Sequence, residues 1–424
     1  MRAAPFEIPG ATELERLVAR SRLIGADPAL VLHGGGNTSS KIVERDHVGR
    51  ERIVLRIKGT GMDLATIGPD GFAGLFLDEL LLLQERESMP DEEVIDYVAR
   101  CLVDPRAPRP SIETLLHAFV PATHVDHVHA DAVCALANGR KSRSIVHDAL
   151  GKDVASIGYV RPGFELSRRV AEACSDHRAA VLLKHGLVTW GETHEASYGL
   201  MLDLVERAET YLSERTRRPR PRTVPDIGDD DLAEILTRLR GRLSRTRRQV
   251  LLVDRSQRWL ADRRDVADIA SARATPDHLL RISTGGIVVV TAAEVEPAVD
   301  GFESAYRAYF DRNRVRLPAG TPMRSPLPNV ILVPGLGCVT ASSDARSARV
   351  NAELALHSHS VGAHLLDGLD ELEGLSDEEA FDVDYWPSEL YKLTLAPPPP
   401  EFSGHVVLVT GAASGIGREI AIDL

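Results

Sequence analysis

The chain has 424 residues, of which 43% are hydrophobic and 26% charged, the make-up of an ordinary globular protein with room for two or three domains. Its net charge of −12 argues against nucleic acid or an anionic membrane as the main partner. No run approaches the ~18 apolar residues of a membrane span, Glu7, Glu13 and Glu15 exclude a signal peptide, and four scattered cysteines without a CxxC pair read as reduced thiols in a cytoplasmic protein.

Taken in chain order, Thr12 and Glu15 form a capping box for a first helix, with Leu14, Leu17, Val18 and Ile24 at helical spacing and Gly25 as its stop. A glycine loop follows, in "ALVLHGGGNTSSKIV". In "RIVLRIKGTG", Ile53, Leu55 and Ile57 alternate with Arg52, Arg56 and Lys58, the pattern of a half-buried strand ending in a glycine turn. Residues 74–88 and 91–103 read as helices, and "PSIETLLHAF" starts another, with Pro110 near its first turn. "HVDHVHADAV" and "AAVLLKHGLVTWG" read as buried strands, and "HEASYGLMLDLVERAETYL" as an amphipathic helix. This first domain runs over 1–215. An Arg/Pro linker spans 216–228, because proline and like charges both oppose packing. A second α/β region covers 229–395, and a proline-rich linker covers 396–403. Residues 404–424 bring an apolar run, a glycine turn and a helix start. There Gly411, Ser414, Gly415, Ile416 and Gly417 stand as in a dinucleotide-binding turn.

Four features of the first domain belong together. His127 and His129 are two apart, so on a strand both imidazoles share a face. His185, at the end of an apolar strand and before Gly186, would complete a three-histidine site, the usual ligand count of a catalytic zinc with an open position. Glu113, in "PSIE", reads either as a helix cap or, close to a metal, as a ligand and acid/base group. The loops Gly34-Gly35-Gly36-Asn37-Thr38-Ser39 and Gly59-Thr60-Gly61, with Ser111, offer backbone N–H groups and hydroxyls to a phosphate.

In this order the motifs resemble the class II aldolase/adducin family of metal-dependent sugar-phosphate aldolases and epimerases. They are Gly36-Asn37-Thr38-Ser39, Thr60-Gly61, Ser111-Ile112-Glu113, His127/His129 and His185-Gly186. The resemblance implies a three-layer α/β sandwich with a central, mainly antiparallel sheet. It implies zinc or another divalent metal on His127, His129 and His185, with Glu113 as ligand and acid/base residue. It also implies phosphate binding by Gly36, Asn37, Thr38, Thr60, Gly61 and Ser111, and a homo-oligomer, commonly a tetramer. Ile112 departs from the family, where fuculose-1-phosphate aldolase has a second serine; Lys58 or the residues of the first glycine loop are candidates to replace that donor. The motifs "ATPDH", "PGLG", "FDVDYWPSELYKL" and "VTGAASGIG" further resemble bifunctional aldolase/short-chain dehydrogenase proteins, some assigned to rhamnulose 1-phosphate and lactaldehyde. On this reading the final segment is the start of a dehydrogenase domain whose catalytic groups the chain does not contain, and NAD belongs to a full-length parent. An epimerase or decarboxylase on the same metal site, a dehydrogenase, and a non-catalytic module such as adducin are the competing readings.

Displacing the chain by 149 residues lays "VLLKHGLVTWGETHEAS" on "VILVPGLGCVTASSDARS". His185 then falls on Pro334. Upstream, at a slightly smaller separation before the glycine, "ATHVDHVH" resembles "ATPDHLLR", with Asp126-His127 on Asp277-His278 and His129 on Leu280. Region 229–395 therefore reads as a degenerate copy of the first domain, stripped of two of three metal ligands and catalytically silent.

Overall fold

The computed structural model describes residues 7–217, 223–387, 390 and 401–424. Part of each linker, 218–222 and 396–400, lies outside them. The chain forms two compact units. The first comprises Met1–Pro219, Ala272–Leu280 and Ser360–Leu395; the second comprises Arg220–Ser271, Arg281–His359 and Ala396–Leu424. Two segments of the 229–395 region thus pack with the first unit. The reason is apolar: Ala274, Val361 and Leu365 enter its largest hydrophobic cluster, and Leu279, Leu375, Ala380 and Val383 form a smaller one with Tyr159.

The first unit is built on a seven-stranded sheet of order β3-β2-β1-β4-β7-β6-β5. The strands are β1 (Asn37–Arg45), β2 (Glu51–Lys58), β3 (Phe72–Phe76), β4 (His124–Val128), β5 (Val154–Ile157), β6 (Ala179–Leu182) and β7 (Gly186–Gly191). All pairings are antiparallel except β5 with β6. Successive strand residues point to opposite faces, and both faces are covered. Val128, Val181 and Leu187 pack in one cluster, with Met201, Leu204 and Val205 of the His194–Arg215 helix. Val125, Ala180, Leu182 and Val188 pack in the other, with Leu166 and Val170 of the Phe164–Ala173 helix. This is a three-layer α/β sandwich with a mainly antiparallel centre. The helix expected over 74–88 is instead β3, a short Leu77–Leu81 helix and a 3-10 turn, because Phe72–Phe76 pairs with Val54–Lys58 of β2. The helix after Pro110 begins only at Thr114 and ends at Phe119.

The Glu13–Gly25 helix starts on its capping box, Thr12 and Glu15 each bonding the other's backbone. It carries Arg20 into the core, where Arg20 Nε lies 3.0 Å from Asp126 Oδ1 of β4, both side chains having 0% exposure. Burial pushes the Arg20 guanidinium down and the Asp126 carboxyl up, while each group's charge supports the other's. Arg20 also donates to the Ser39 carbonyl at 2.7 Å, and Ser197 Oγ donates to Asp126 Oδ2 at 2.7 Å.

The second unit holds a four-stranded sheet of order β8-β11-β10-β9. Its strands are β8 (Val250–Asp254), β9 (Ile287–Val288), β10 (Val330–Val333) and β11 (Gly337–Ser342). This repeats β4-β7-β6-β5 in order and in sense, since β8·β11 and β10·β11 are antiparallel and β9·β10 is parallel. Over the β6–β7 hairpin and the start of the helix after it, the repeat runs 151 residues apart, not 149. Leu182 faces Gly186 where Val333 faces Gly337. Lys184 and Gly335 take the left-handed conformation, at φ 59° and 82°. Thr189 Oγ1 donates to the Ser197 carbonyl, and Thr340 Oγ1 to that of Ala348. Thr193 caps its helix through Ala196 N, as Asp344 does through Ser347 N. In this register His185 matches Leu336, not Pro334. The counterpart of β4 is β8, so His127 matches Val253. Residues 276–282 form a helix, Pro276–Ile282, so the expected pairing of His127 with His278 does not hold.

In the tail, Gly415–Asp423 is helical, but the apolar run 405–409 forms no strand, and Val406 and Leu408 are 73% and 90% exposed. An unpaired strand has no ladder to satisfy its backbone. No described helix is long and apolar enough to cross a membrane.

Removing one partner of a buried ion pair leaves an uncompensated charge. Asp126→Ala should therefore lower the unfolding free energy by about 3–5 kcal/mol, measured by urea denaturation. A loss below about 1 kcal/mol, the range of surface pairs, would show that the pair is not what holds the first helix to β4.

Candidate active site

Strand pairing assembles the site. β1 places Asn37 opposite His127, and β7 places Val188 opposite His127 on its other side. The turn between β6 and β7 closes with His185 N donating to the Leu182 carbonyl at 3.1 Å. His185 thereby comes beside His127 and His129. Two glycines permit the approach. A Cβ on Gly36 would stand 2.6 Å from the His127 carbonyl oxygen, and one on Gly186 would stand 2.5 Å from that of Val128.

The three imidazoles are buried and converge. His129 Nε2 is 3.0 Å, and His185 Nε2 3.3 Å, from His127 Nε2. The His127 Nδ1 lies 3.0 Å from the Leu187 carbonyl, so Nδ1–H donates there and Nε2 presents its lone pair to the cluster. Nitrogens bound tetrahedrally to zinc at their usual bond length stand about 3.3 Å apart. The donor set and its spacing therefore fit a divalent cation.

Glu113 closes the cluster, with Oε2 3.6 Å from His127 Nε2 and Oε1 3.7 Å from His185 Nε2. Oε1 accepts no hydrogen bond although it is buried, which leaves it available to a metal or a substrate proton. Burial works to raise its carboxyl, but His127, His185, the Asn37 amide and His129 hold it down to about 2. Asn37 Nδ2 donates to Glu113 Oε2 at 2.6 Å and to Ser111 Oγ at 3.1 Å. Behind it stands His117, which the sequence reading missed. Burial pushes this imidazole down to about 3, so it is neutral, and its two nitrogens bridge Asn37 Oδ1 and Ser39 Oγ. Its position one helical turn after Glu113 was the available signal.

The cleft encloses about 490 Å³, including its open mouth, and is lined by Gly36, Asn37, Thr60, Gly61, Ser111, Glu113, His129 and His185. Thr38 is not among them. It is fully buried on the opposite face of β1, its Oγ1 2.6 Å from Ser21 Oγ, because alternate strand residues point apart. Thr60 Oγ1 donates to the Pro110 carbonyl at 2.8 Å. Lys58 lines the cleft but directs its ammonium to the Gly34, Gly35 and Met62 carbonyls. It ties the two glycine loops together and leaves its charge beside them. Ile112, Val383 and Trp386 form an apolar wall. Trp386 is held by Nε1–H donation to Asp91 Oδ2 at 2.8 Å and by the Arg161 guanidinium 4.9 Å over its ring. At the far end of the chain Gly411, Ser414, Gly415 and Ile416 are exposed and Gly417 is half-buried.

A histidine cluster at one end of a mainly antiparallel α/β sandwich defines the class of protein, and comparison with known proteins agrees. Residues 15–212 match the family model of the class II aldolase and adducin N-terminal domain, and residues 230–393 match that of the class II aldolase second domain. The N-terminal class II aldolase domain of a conserved protein from Thermoplasma acidophilum is 40% identical over 50% of this chain and 99% of that one, with a TM-score of 0.48. L-fuculose-1-phosphate aldolase from Thermus thermophilus is 23% identical over 47% of this chain and 96% of that one, with a TM-score of 0.33. The Bacillus subtilis (strain 168) protein YuxG, described as an uncharacterized oxidoreductase, is 39% identical over 95% of this chain and 61% of its own length. The present chain thus spans about three fifths of that relative. The chain belongs to the class II aldolase and adducin family.

His127→Ala should abolish stoichiometric metal binding while leaving the circular dichroism spectrum intact. A full complement of metal by elemental analysis would refute the three-histidine site.

Proposed function

We propose that the chain is a zinc-dependent aldolase that cleaves a ketose 1-phosphate to dihydroxyacetone phosphate and a short hydroxyaldehyde. The observation that carries the reading is the convergence of three imidazole Nε2 atoms with the free oxygen of Glu113. A divalent cation held by His127, His129 and His185 supplies Lewis-acid polarisation of the substrate ketone when bound. The protein's own residues do the rest. Retro-aldol cleavage passes the hydroxyl proton of the cleaved carbon to a base, and the bond's electron pair leaves as an enediolate. The carbon that loses its hydroxyl proton becomes the aldehyde, and protonation of the enediolate carbon of the other fragment yields dihydroxyacetone phosphate. Glu113 is assigned at least one of these transfers. Asn37, braced by His117, aims it. The backbone of Gly36 and Gly61, the Ser111 hydroxyl and the charge of Lys58 favour the phosphate, whose binding orients the reacting bond from a distance. The apolar wall suits the methyl of a deoxy sugar. With the chain's similarity to bifunctional aldolase/dehydrogenase proteins, this supports rhamnulose 1-phosphate as substrate and L-lactaldehyde as product.

The test is a retro-aldol assay across ketose 1-phosphates with metal analysis of the same samples. Glu113→Gln should retain metal and lose about 10²–10⁴-fold in turnover, the worth of a positioned acid/base group; near-normal turnover would remove Glu113 from the chemistry. Trp386→Ala should raise KM for the deoxy sugar phosphate about tenfold, as loss of apolar contact does, with kcat less affected. An unchanged KM would separate this wall from the substrate.

A further inference from the structure

A second cavity lies wholly within the second unit. It encloses about 1160 Å³, including its open mouth, between the end of β11, the start of β8 and the loops around 283 and 324–329. Arg247, Arg281 and Arg324 line it, and among the described residues no carboxylate does. Several arginines elsewhere in this unit are ion-paired: Arg238 with Glu234 and Glu296, Arg242 with Asp300, Arg245 with Glu303. Among the described residues, Arg247 and Arg281 have no such partner. Ser342 and Ser325 also line it, and the Ser343 hydroxyl in the same wall donates to Asp344 Oδ2 at 3.2 Å. Ser283, also in the wall, holds a left-handed backbone at φ 62°, a conformation that non-glycine residues adopt uncommonly.

The cavity is not a remnant of the histidine cleft. In the 151-residue register, Ser342 matches Gly191, which pairs with His124 at the end of β4 remote from His129. On a chain of net charge −12, the guanidinium groups of Arg247 and Arg281 in a concave wall concentrate the field on an anion. Their fork of N–H donors matches phosphate oxygens two at a time.

We propose that this cavity is a binding site for a small phosphorylated metabolite, held by Arg247, Arg281 and Arg324 and distinct from the substrate cleft. The assignment is independent of the aldolase reading. It is tested by isothermal titration of the full chain with ribose 5-phosphate at constant ionic strength, with neutral ribose as blank. The parent should show binding beyond that of the histidine cleft. An Arg247→Gln/Arg281→Gln variant should lose that component, weakening at least about tenfold, as loss of charge-assisted bonds requires. Its metal content and its aldol cleavage without added ribose 5-phosphate should be unchanged. An Arg238→Gln/Arg307→Gln variant, equal in charge, should keep the component. Should the first variant fold poorly, Arg247→Lys/Arg281→Lys keeps the charge, loses the fork and should weaken binding to a smaller degree. An unchanged isotherm in the pocket variants, an equal loss in the charge control, or no second component in the parent would overturn the site.

Discussion

The register of β4 is the constraint on which the site depends. Its residues alternate between two roles: Asp126 faces Arg20 and Ser197, and His127 faces Glu113 and His185. A slip of one residue would exchange these faces, putting an imidazole against a buried guanidinium and a carboxylate among the histidines. Burying Arg20 and Asp126 carries a desolvation cost that pairing offsets only in good geometry. What the pair adds is a definite position. Apolar packing would tolerate a shifted strand more readily than an unpaired buried charge would.

The second unit shows which features belong to folding and which to chemistry. It keeps the hairpin with its left-handed turn residue, the threonine bond to the following helix and the capped helix start. These satisfy backbone groups and fix strand order, and any sandwich of this topology needs them. At the positions of His127 and His185 it has Val253 and Leu336, which bury apolar surface and cannot ligate metal. Leu336 enters its hydrophobic core and Val253 packs against it, while the position of His129 falls to the exposed Arg255.

The histidine pair, His185, Glu113 and the glycine loops were legible because their chemistry is local: spacing of two on a strand, a glycine after a strand, a carboxylate by a helix start. Three things were not. Thr38 looked like a loop donor, but the strand begins at Asn37, and alternation sends Thr38 to Ser21. His117 and Trp386 act through partners 80 and 295 residues away, Asn37 and Asp91, separations that periodicity does not report. The repeat was visible, but its offset was misjudged by two residues. The matching Gly-Leu pairs drew the alignment, whereas the hairpin is anchored by a left-handed residue that is Lys184 in one unit and Gly335 in the other.

The hydrogen bonds within the cleft also decide which groups remain for a ligand. Asn37 is committed to Glu113, Ser111 and His117, and the Thr60 hydroxyl to Pro110. Neither side chain is then a ready phosphate donor. An anion in this cleft is left with backbone N–H groups of the glycine loops, the Ser111 hydroxyl and the nearby charge of Lys58. Ile112 follows from the same division. It puts an apolar side chain in the same wall as Val383 and Trp386. The cleft is therefore lined by three kinds of group: the glycine loops tied by Lys58, the apolar Ile112, Val383 and Trp386, and the histidines. A ligand with one charged end, a polar centre and one short apolar end matches all three, whereas one that is polar throughout leaves hydroxyls unpaired against the apolar wall.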